Sequence, residues 1–224
     1  MFASNRFKVL VVGSKDCGKT SFIKRLHKEN FDNSPSSSNE NLHNRALQLT
    51  ASDGISIKIE LSDIDIDEFN EIVKNVATLR QQQQCLASNA MSSSYAEFLD
   101  ASGVFVLYDI TNVISFNCLK TIIDDLAKLV APDCDLILIG TKCDLKQLRQ
   151  VSYQQAETFT YKLGLSLFET RTGLNCAAAL REMVNKVFEK RAEADTYISH
   201  PVEENHAYRT SVLSQMFCRT WFCV

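Results

Sequence analysis

The sequence feature that most constrains the fold is a glycine-rich octapeptide near the N-terminus, Gly13–Thr20. It reads Gly-Ser-Lys-Asp-Cys-Gly-Lys-Thr and fits the pattern G-x-x-x-x-G-K-[ST]. The apolar, β-branched run Phe7–Val12 before it predicts a buried strand, and the helical spacing of apolar residues after it predicts a helix over Lys19–Glu29. A strand, a glycine-rich turn and a helix in this order are the context in which the pattern binds phosphate groups.

The octapeptide therefore predicts a site for a nucleotide phosphate chain. Its glycines let backbone N–H groups point at phosphate oxygens, and the N-terminus of the following helix favours negative charge. We expect Lys19 to reach the β- and γ-phosphates and the Thr20 hydroxyl to coordinate Mg²⁺. The candidate phosphate-binding residues are Gly13, Ser14, Lys15, Asp16, Cys17, Gly18, Lys19, Thr20 and Ser21.

Strands and helices alternate along the rest of the chain. Further strands are predicted at Ala46–Leu49, Ile55–Leu61, Val104–Tyr108, Leu136–Ile139 and Leu165–Phe168, the first two forming a hairpin across Ser52-Asp53-Gly54. Further helices are predicted at Phe69–Leu79, Leu119–Val130, Ser152–Lys162 and Asn175–Arg191. This alternation predicts an α/β fold, a doubly wound, six-stranded, mostly parallel sheet with one antiparallel edge pair and helices on both faces.

The predicted domain is one unit, residues 6–192, followed by a flexible C-terminal tail at 193–224. Inside it, the serine-rich stretch Asn33–Asn41 predicts a mobile loop. The helix that starts near Asp67 is followed by four glutamines and a polar stretch, so residues around 67–94 are predicted to be an inserted helix with a flexible segment.

Composition narrows the class of protein. The net charge of −3 and the pI near 5.8 give no electrostatic footprint for nucleic acid. The apolar runs are too short for a membrane helix, and Met1–Lys8 lacks the apolar region of a signal peptide. Eight cysteines without a Cys-x-x-Cys pair indicate free thiols in a reducing cytosol and argue against a zinc site.

A second candidate site follows the predicted strand Leu136–Ile139. There Thr141, Lys142, Cys143 and Asp144 succeed one another. A carboxylate at this position accepts hydrogen bonds from both N1–H and N2–H₂ of guanine, a pair that adenine does not offer, and the Lys142 stem would cover the ring. The alternative for Asp144 is a plain turn residue. This motif argues against a kinase or an ATPase.

With both sites placed, the sequence resembles the small GTPases of the Ras superfamily, and the Rab branch most of all. The stretches that carry the resemblance besides the phosphate loop are Val104–Thr111, Ser115–Asn117, Lys142–Leu145 and Phe168–Thr170. It covers residues 6–190.

The resemblance implies the P-loop NTPase fold, GTP or GDP with Mg²⁺ as ligands, and a molecular switch in vesicle-mediated transport. Its implied partners are effector proteins, an exchange factor and a GTPase-activating protein. We expect a monomer in the cytoplasm that associates peripherally with endomembranes or vesicles.

The resemblance also implies further site residues. Asp63 falls on the metal-holding aspartate of the family's D-x-x-G motif, and Leu145 follows the base-reading Asp144. Arg171 and Thr172 fall on the third base motif, with two residues missing. Ser38 falls on the metal-binding threonine of switch I, although a serine-rich loop without this role is an equal alternative.

Switch II departs from the family. Ile66 stands where a glycine N–H contacts the γ-phosphate, and Asp67 stands where a glutamine orients the attacking water. We assign no catalytic residue; Asp67 only marks the glutamine position. Losing both contacts removes several kcal/mol of transition-state stabilisation, so we expect weak intrinsic GTPase activity. The alternative is a pseudo-GTPase, an interaction module that no longer cycles nucleotide.

The C-terminus gives no prenylation signal. A C-a-a-X box needs cysteine at the position of Trp221, and Cys223 is followed only by Val224. Palmitoylation of Cys218 or Cys223 and an unmodified tail are the two alternatives.

Overall fold

A computed structural model describes residues 6–30, 45–50, 56–81, 93–170 and 175–199. The strands among them are β1 (Arg6–Gly13), β2 (Arg45–Thr50), β3 (Ser56–Ile64), β4 (Gly103–Asp109), β5 (Asp135–Thr141) and β6 (Ser166–Glu169). The helices are α1 (Lys19–Asn30), α2 (Ile66–Gln81), α3 (Ser93–Leu99), α4 (Val113–Asn117), α5 (Leu119–Leu129), α6 (Tyr153–Leu163) and α7 (Cys176–Ser199), with a 3₁₀ turn at Lys146–Leu148.

The six strands form one sheet in the order β2-β3-β1-β4-β5-β6. Only the β2–β3 pair is antiparallel, and each of the other neighbours runs parallel. The predicted fold is confirmed, including the antiparallel pair at one edge. The parallel strands direct their carboxyl ends to one side of the sheet, which is where ligands bind in folds of this kind.

Buried side chains cover both faces of the sheet. Along β1, Val9 and Val11 pack with α1 and α7, whereas Leu10 and Val12 pack with α2, α3, α5 and α6. This alternation follows from the two-residue period of a strand. Because both faces are covered, the middle of each central strand is apolar, and all seven residues of β4 are buried.

The helices differ from the predicted ones in three places. The segment 93–99 forms α3, whose Tyr95 and Phe98 are buried, although a flexible stretch was predicted as far as Ser94. Seven residues are too few to show a helical period, so only their packing reveals the helix. A short helix, α4, precedes α5 and begins where the Asn112 side chain accepts hydrogen bonds from two backbone N–H groups. α7 continues past Arg191 to Ser199.

Other local predictions agree with the structure. Ser152 caps α6 and pairs reciprocally with Gln155, as its position before the helix predicts. The predicted loop Asn33–Asn41, the hairpin turn and the tail beyond Ser199 lie outside the described residues. Within the part of the chain that the structure describes, no helix has the length and apolar character to cross a bilayer.

Candidate functional site

The loop between β1 and α1 forms a backbone cradle. Its first glycine, Gly13, lies so close to β4 that a Cβ atom would come within 2.6 Å of the Leu107 carbonyl oxygen. Gly18 has a φ of +95°, which side-chain-bearing residues rarely adopt, and Asp16 has a φ of 60°. These two requirements explain why the sequence places glycines at both ends of the loop.

Lys19 lies at the centre of the cradle. It is 9% exposed, and its Nζ donates hydrogen bonds to the carbonyl oxygens of Gly13 (3.0 Å) and Ser14 (3.3 Å). Its ammonium group also lines a cavity of about 550 Å³ at the mouth of the loop. A buried cation at a helix N-terminus favours the binding of an anion.

Thr20 and Asp63 meet beside this cavity. The Thr20 hydroxyl donates to Asp63 Oδ2 at 3.1 Å, while Asp63 Oδ1 is buried without a hydrogen-bond partner among the described residues. The pairing of β1 with β3 brings them together, because Val11 lies opposite Asp63 and the loop follows directly. A hydroxyl and an unsatisfied carboxylate oxygen are ligands that suit Mg²⁺, so these residues fit the metal.

A second, smaller cleft of about 140 Å³ adjoins the phosphate cavity. Its walls are Gly18, Ser21, Phe22, Arg25, Thr141, Lys142, Asp144, Thr170 and Cys176. Gly18 and Ser21 line both cavities. The structure thus places Asp144 next to the phosphate loop. Asp144 follows β5 and the loop follows β1, and β4 lies between these two strands in the sheet. A nucleotide whose base contacts Asp144 would have its phosphates at Lys19.

A buried hydroxyl connects the end of β5 with the phosphate loop. Thr141 Oγ1 lies 2.6 Å from the carbonyl oxygen of Cys17 and 3.0 Å from that of Tyr108. The hydroxyl has one proton to donate, so it bonds one of these carbonyls at a time. This contact ties the end of β5 to the phosphate loop, and sequence reasoning did not foresee it.

Lys142 is held in an unusual conformation by an ion pair. Its φ is 58°, and its Nζ lies 2.7 Å from Oδ2 of the buried carboxylate of Asp109. Burial alone would raise the pKa of Asp109, but hydrogen bonds from Lys142 and Thr111 outweigh burial and lower the pKa below its usual value. The pair fixes the Lys142 stem at the edge of both cavities.

The thiol of Cys17 is a structural part of the loop. It is 1% exposed, and burial raises its pKa to about 11. A neutral, buried thiol at this position packs under the cradle and takes no part in ion binding.

A helix begins three residues after Asp63. α2 begins at Ile66, and the Asp65 carboxylate accepts a hydrogen bond from the Asp67 N–H at 3.0 Å. Asp65 and Glu68 line the phosphate cavity, whereas Asp67 is exposed and is absent from the described residues that line it. The family pattern predicts Ile66 and Asp67 at the positions that face the γ-phosphate. Asp65 and Glu68, which line the cavity instead, were not predicted. Their three-residue spacing at the start of a helix was the available signal.

Of the four remaining predicted site residues, the structure describes one, Leu145. Leu145 is 41% exposed and follows Asp144 in a turn closed by its N–H to the Lys142 carbonyl. Ser38, Arg171 and Thr172 lie outside the described residues, so their predicted roles stay predictions. Thr170 and Arg25, which line the smaller cleft, were not predicted.

Comparisons with known proteins show what this chain is similar to. The sequence model of the Ras family matches residues 89–195. The chain is similar to a probable Ras-related protein Rab-4A of Echinococcus multilocularis, with 29% identity over 188 residues that cover 82% of this chain and 74% of that protein. It is also similar to Ras-related protein Rab-3 of Caenorhabditis elegans (26% over 190 residues, 84% and 77%) and Ras-related protein Rab-8A of Gallus gallus (26% over 169 residues, 75% and 71%).

Proposed function

Since this chain is a divergent, Rab-like member of the Ras superfamily, we propose that it binds guanine nucleotide with Mg²⁺ and hydrolyses GTP slowly. The family binds these ligands in general. The observation that carries the proposal for this chain is the meeting of Lys19, Thr20 and Asp63 at one cavity that adjoins the cleft of Asp144.

Each side chain has one task in this proposal. The Lys19 ammonium and the loop N–H groups bind the phosphate chain, and the Asp144 carboxylate distinguishes guanine from adenine. Thr20 and Asp63 would hold Mg²⁺, which neutralises charge on the phosphates when bound. The Lys142 stem, fixed by Asp109, covers the base.

Slow hydrolysis is expected from the residues at the start of α2, which follows Asp63. Catalysis of phosphoryl transfer by this family depends on positioning the attacking water and on stabilising charge at the γ-phosphate. Ile66 is the first residue of a helix and Asp67 points to solvent, so neither supplies the water-orienting amide of a glutamine.

The cellular role in the proposal follows the Rab resemblance. The chain would act in vesicle-mediated transport through effector proteins, with an exchange factor and a GTPase-activating protein as regulators. Its place would be the cytoplasm and the surface of endomembranes.

One observation favours a second candidate, the pseudo-GTPase. Phe69, Ile72 and Val76 of α2 are buried in the core with Phe98 of α3, and the rings of Phe69 and Phe98 lie 5.9 Å apart. A switch II segment anchored in this way has little freedom to follow the nucleotide, which suits a protein that presents one fixed surface to its partners.

The first experiment identifies the bound ligand. The full chain is purified in Mg²⁺ and denatured, and the released nucleotide is identified by chromatography. We expect one guanine nucleotide per chain in the wild type and loss of the preference for guanine over adenine in Asp144→Ala. Glu71→Ala, an exposed change on α2, is the matched control and should retain the nucleotide. A wild-type chain that carries no nucleotide and takes up none when GTP or GDP is added contradicts the proposal.

A further inference from the structure

The phosphate cavity has two walls of opposite charge. One is the loop with Lys15 and Lys19, and the other is the end of β3 with the start of α2, which supplies Asp63, Asp65 and Glu68. With Asp16 and Lys142, three lysines and four carboxylates line the cavity in the described part of the chain. One of these lysines, Lys142, is already paired with Asp109. The lining side chains therefore carry no surplus of positive charge, so the loop N–H groups and Mg²⁺ would have to neutralise a triphosphate.

The carboxylates of the second wall have separate positions. Asp63 bonds Thr20 and lies where a metal ligand is needed. Asp65 bonds the N–H of Asp67, so it occupies an amide at the α2 N-terminus that would otherwise be open to a phosphate oxygen. Glu68 lines the cavity one turn further along.

The second wall is also fixed in place. The backbone of Phe69 donates to the Asp65 carbonyl at 2.9 Å, and the Phe69 side chain is 1% exposed. Moving Asp65 and Glu68 away from the cavity would expose this ring and the apolar residues packed around it. The backbone that carries Asp65 and Glu68 is therefore held beside the cavity, and both exposed side chains line it.

We propose that Asp65 and Glu68 make this site selective for the guanosine diphosphate over the triphosphate. The inference rests on the proposed binding of guanine nucleotide. The family pattern places the γ-phosphate beside the residues that follow Asp63, whereas the base and the first two phosphates lie along Asp144 and the loop. Only the triphosphate thus meets the extra carboxylates. Two unit charges several ångströms apart near a protein surface change affinity on the order of tenfold to a hundredfold.

The test measures the ratio of two dissociation constants. A fluorescent GDP is displaced from the Mg²⁺-loaded full chain by GDP or by GTPγS, which resists hydrolysis. We expect the wild type to bind GTPγS at least about tenfold more weakly than GDP. Asp65→Asn and Glu68→Gln should each lower this ratio, and the double variant should lower it most. GDP affinity should change by less than about threefold in all of them.

Two controls separate charge from folding. Asparagine is as good a helix cap as aspartate, so Asp65→Asn keeps the start of α2. Glu71→Gln removes a charge from an exposed position on the same helix, and it should leave the ratio unchanged. Because all variants are compared with the same analogue, any intrinsic difference between GTPγS and GTP cancels from the change in the ratio.

The outcomes distinguish the two proposals. Equal affinity of the wild type for GDP and GTPγS, or a ratio that both charge-removing variants leave unchanged, overturns the selectivity while guanine-nucleotide binding stands. A wild-type chain that binds neither nucleotide overturns the proposed function itself.

Discussion

The loop Gly13–Thr20 and the segment Asp65–Glu68 line the same cavity. Backbone conformation shapes the loop, whereas side-chain packing shapes the segment. The loop is shaped by backbone conformation, with positive φ at Asp16 and Gly18. The segment is shaped by side chains, because the helix that it starts is anchored by buried aromatic and aliphatic residues. The proposed selectivity for the diphosphate depends on this difference, because the loop would bind the phosphates through its backbone and the segment would repel them through its carboxylates.

The comparison also separates binding from switching. Lys19 and Thr20 sit on the loop side with Asp63 opposite, and their positions suit a nucleotide phosphate chain. The segment Asp65–Glu68 leads into α2, whose Phe69, Ile72 and Val76 are buried in the core. Four predictions test this difference, from the largest expected effect to the smallest.

Removing the buried cation should abolish the function of the loop. Lys19→Ala is expected to weaken binding of fluorescent GDP by at least about a hundredfold, because Lys19 is the buried lysine of the loop, whereas Lys15 is exposed. Equilibrium titration measures the effect. Lys24→Ala, an exposed change on α1, is the control and should bind as the wild type does. Retained affinity in Lys19→Ala would mean that the loop is not the phosphate site.

Truncating the anchor of α2 should cost stability. Phe69→Ala is expected to lower the free energy of unfolding by about 3–5 kcal/mol, because it leaves a cavity against Phe98. Urea denaturation measures the change. Asn70→Ala, on the exposed side of the same helix, should stay within about 0.5 kcal/mol of the wild type. A loss below about 1 kcal/mol for Phe69→Ala would show that α2 is a loosely held switch after all.

Removing a metal ligand should affect nucleotide release. In the wild type, chelating Mg²⁺ is expected to speed GDP dissociation on the order of tenfold, and in Thr20→Ala chelation should have little further effect. Stopped-flow fluorescence measures both rates. Thr20→Ser keeps the hydroxyl and should restore the response to Mg²⁺. An unchanged response in Thr20→Ala would exclude this hydroxyl as a ligand.

The ion pair between Lys142 and Asp109 should make the free energy of unfolding depend on pH. The folded-state pKa of Asp109 lies below its ordinary value, so its contribution is complete above about pH 4 and disappears as the pH falls through the folded-state pKa. Asp109→Asn should cost about 1 kcal/mol at pH 7 and less at pH 3, as measured by urea denaturation.

An exposed carboxylate gives the control for this pH effect. Asp124 pairs with Lys120 on the surface of α5, and Asp124→Asn should change stability little at either pH. Equal losses at both pH values in Asp109→Asn would assign its effect to packing rather than to charge.

The sequence by itself determined the fold class and the two binding motifs. Apolar strands alternating with helices predict the sheet, and Gly13–Thr20 and Thr141–Asp144 are recognisable because each is a contiguous stretch with its chemistry in fixed spacing. Local signals of this kind act within a few residues, so they hold before any tertiary contact forms. The predicted roles of Ser38, Arg171 and Thr172 remain predictions.

The tertiary structure decided how these motifs share one site and what faces them. The parallel pairing of β1 with β3 puts Asp63 beside Thr20, and the ion pair of Lys142 with Asp109 joins residues on neighbouring strands. The burial of α2 places Asp65 and Glu68 at the wall of the cavity. None of these contacts has a sequence pattern, because each depends on which strands are neighbours and on which helix face finds a core to bury.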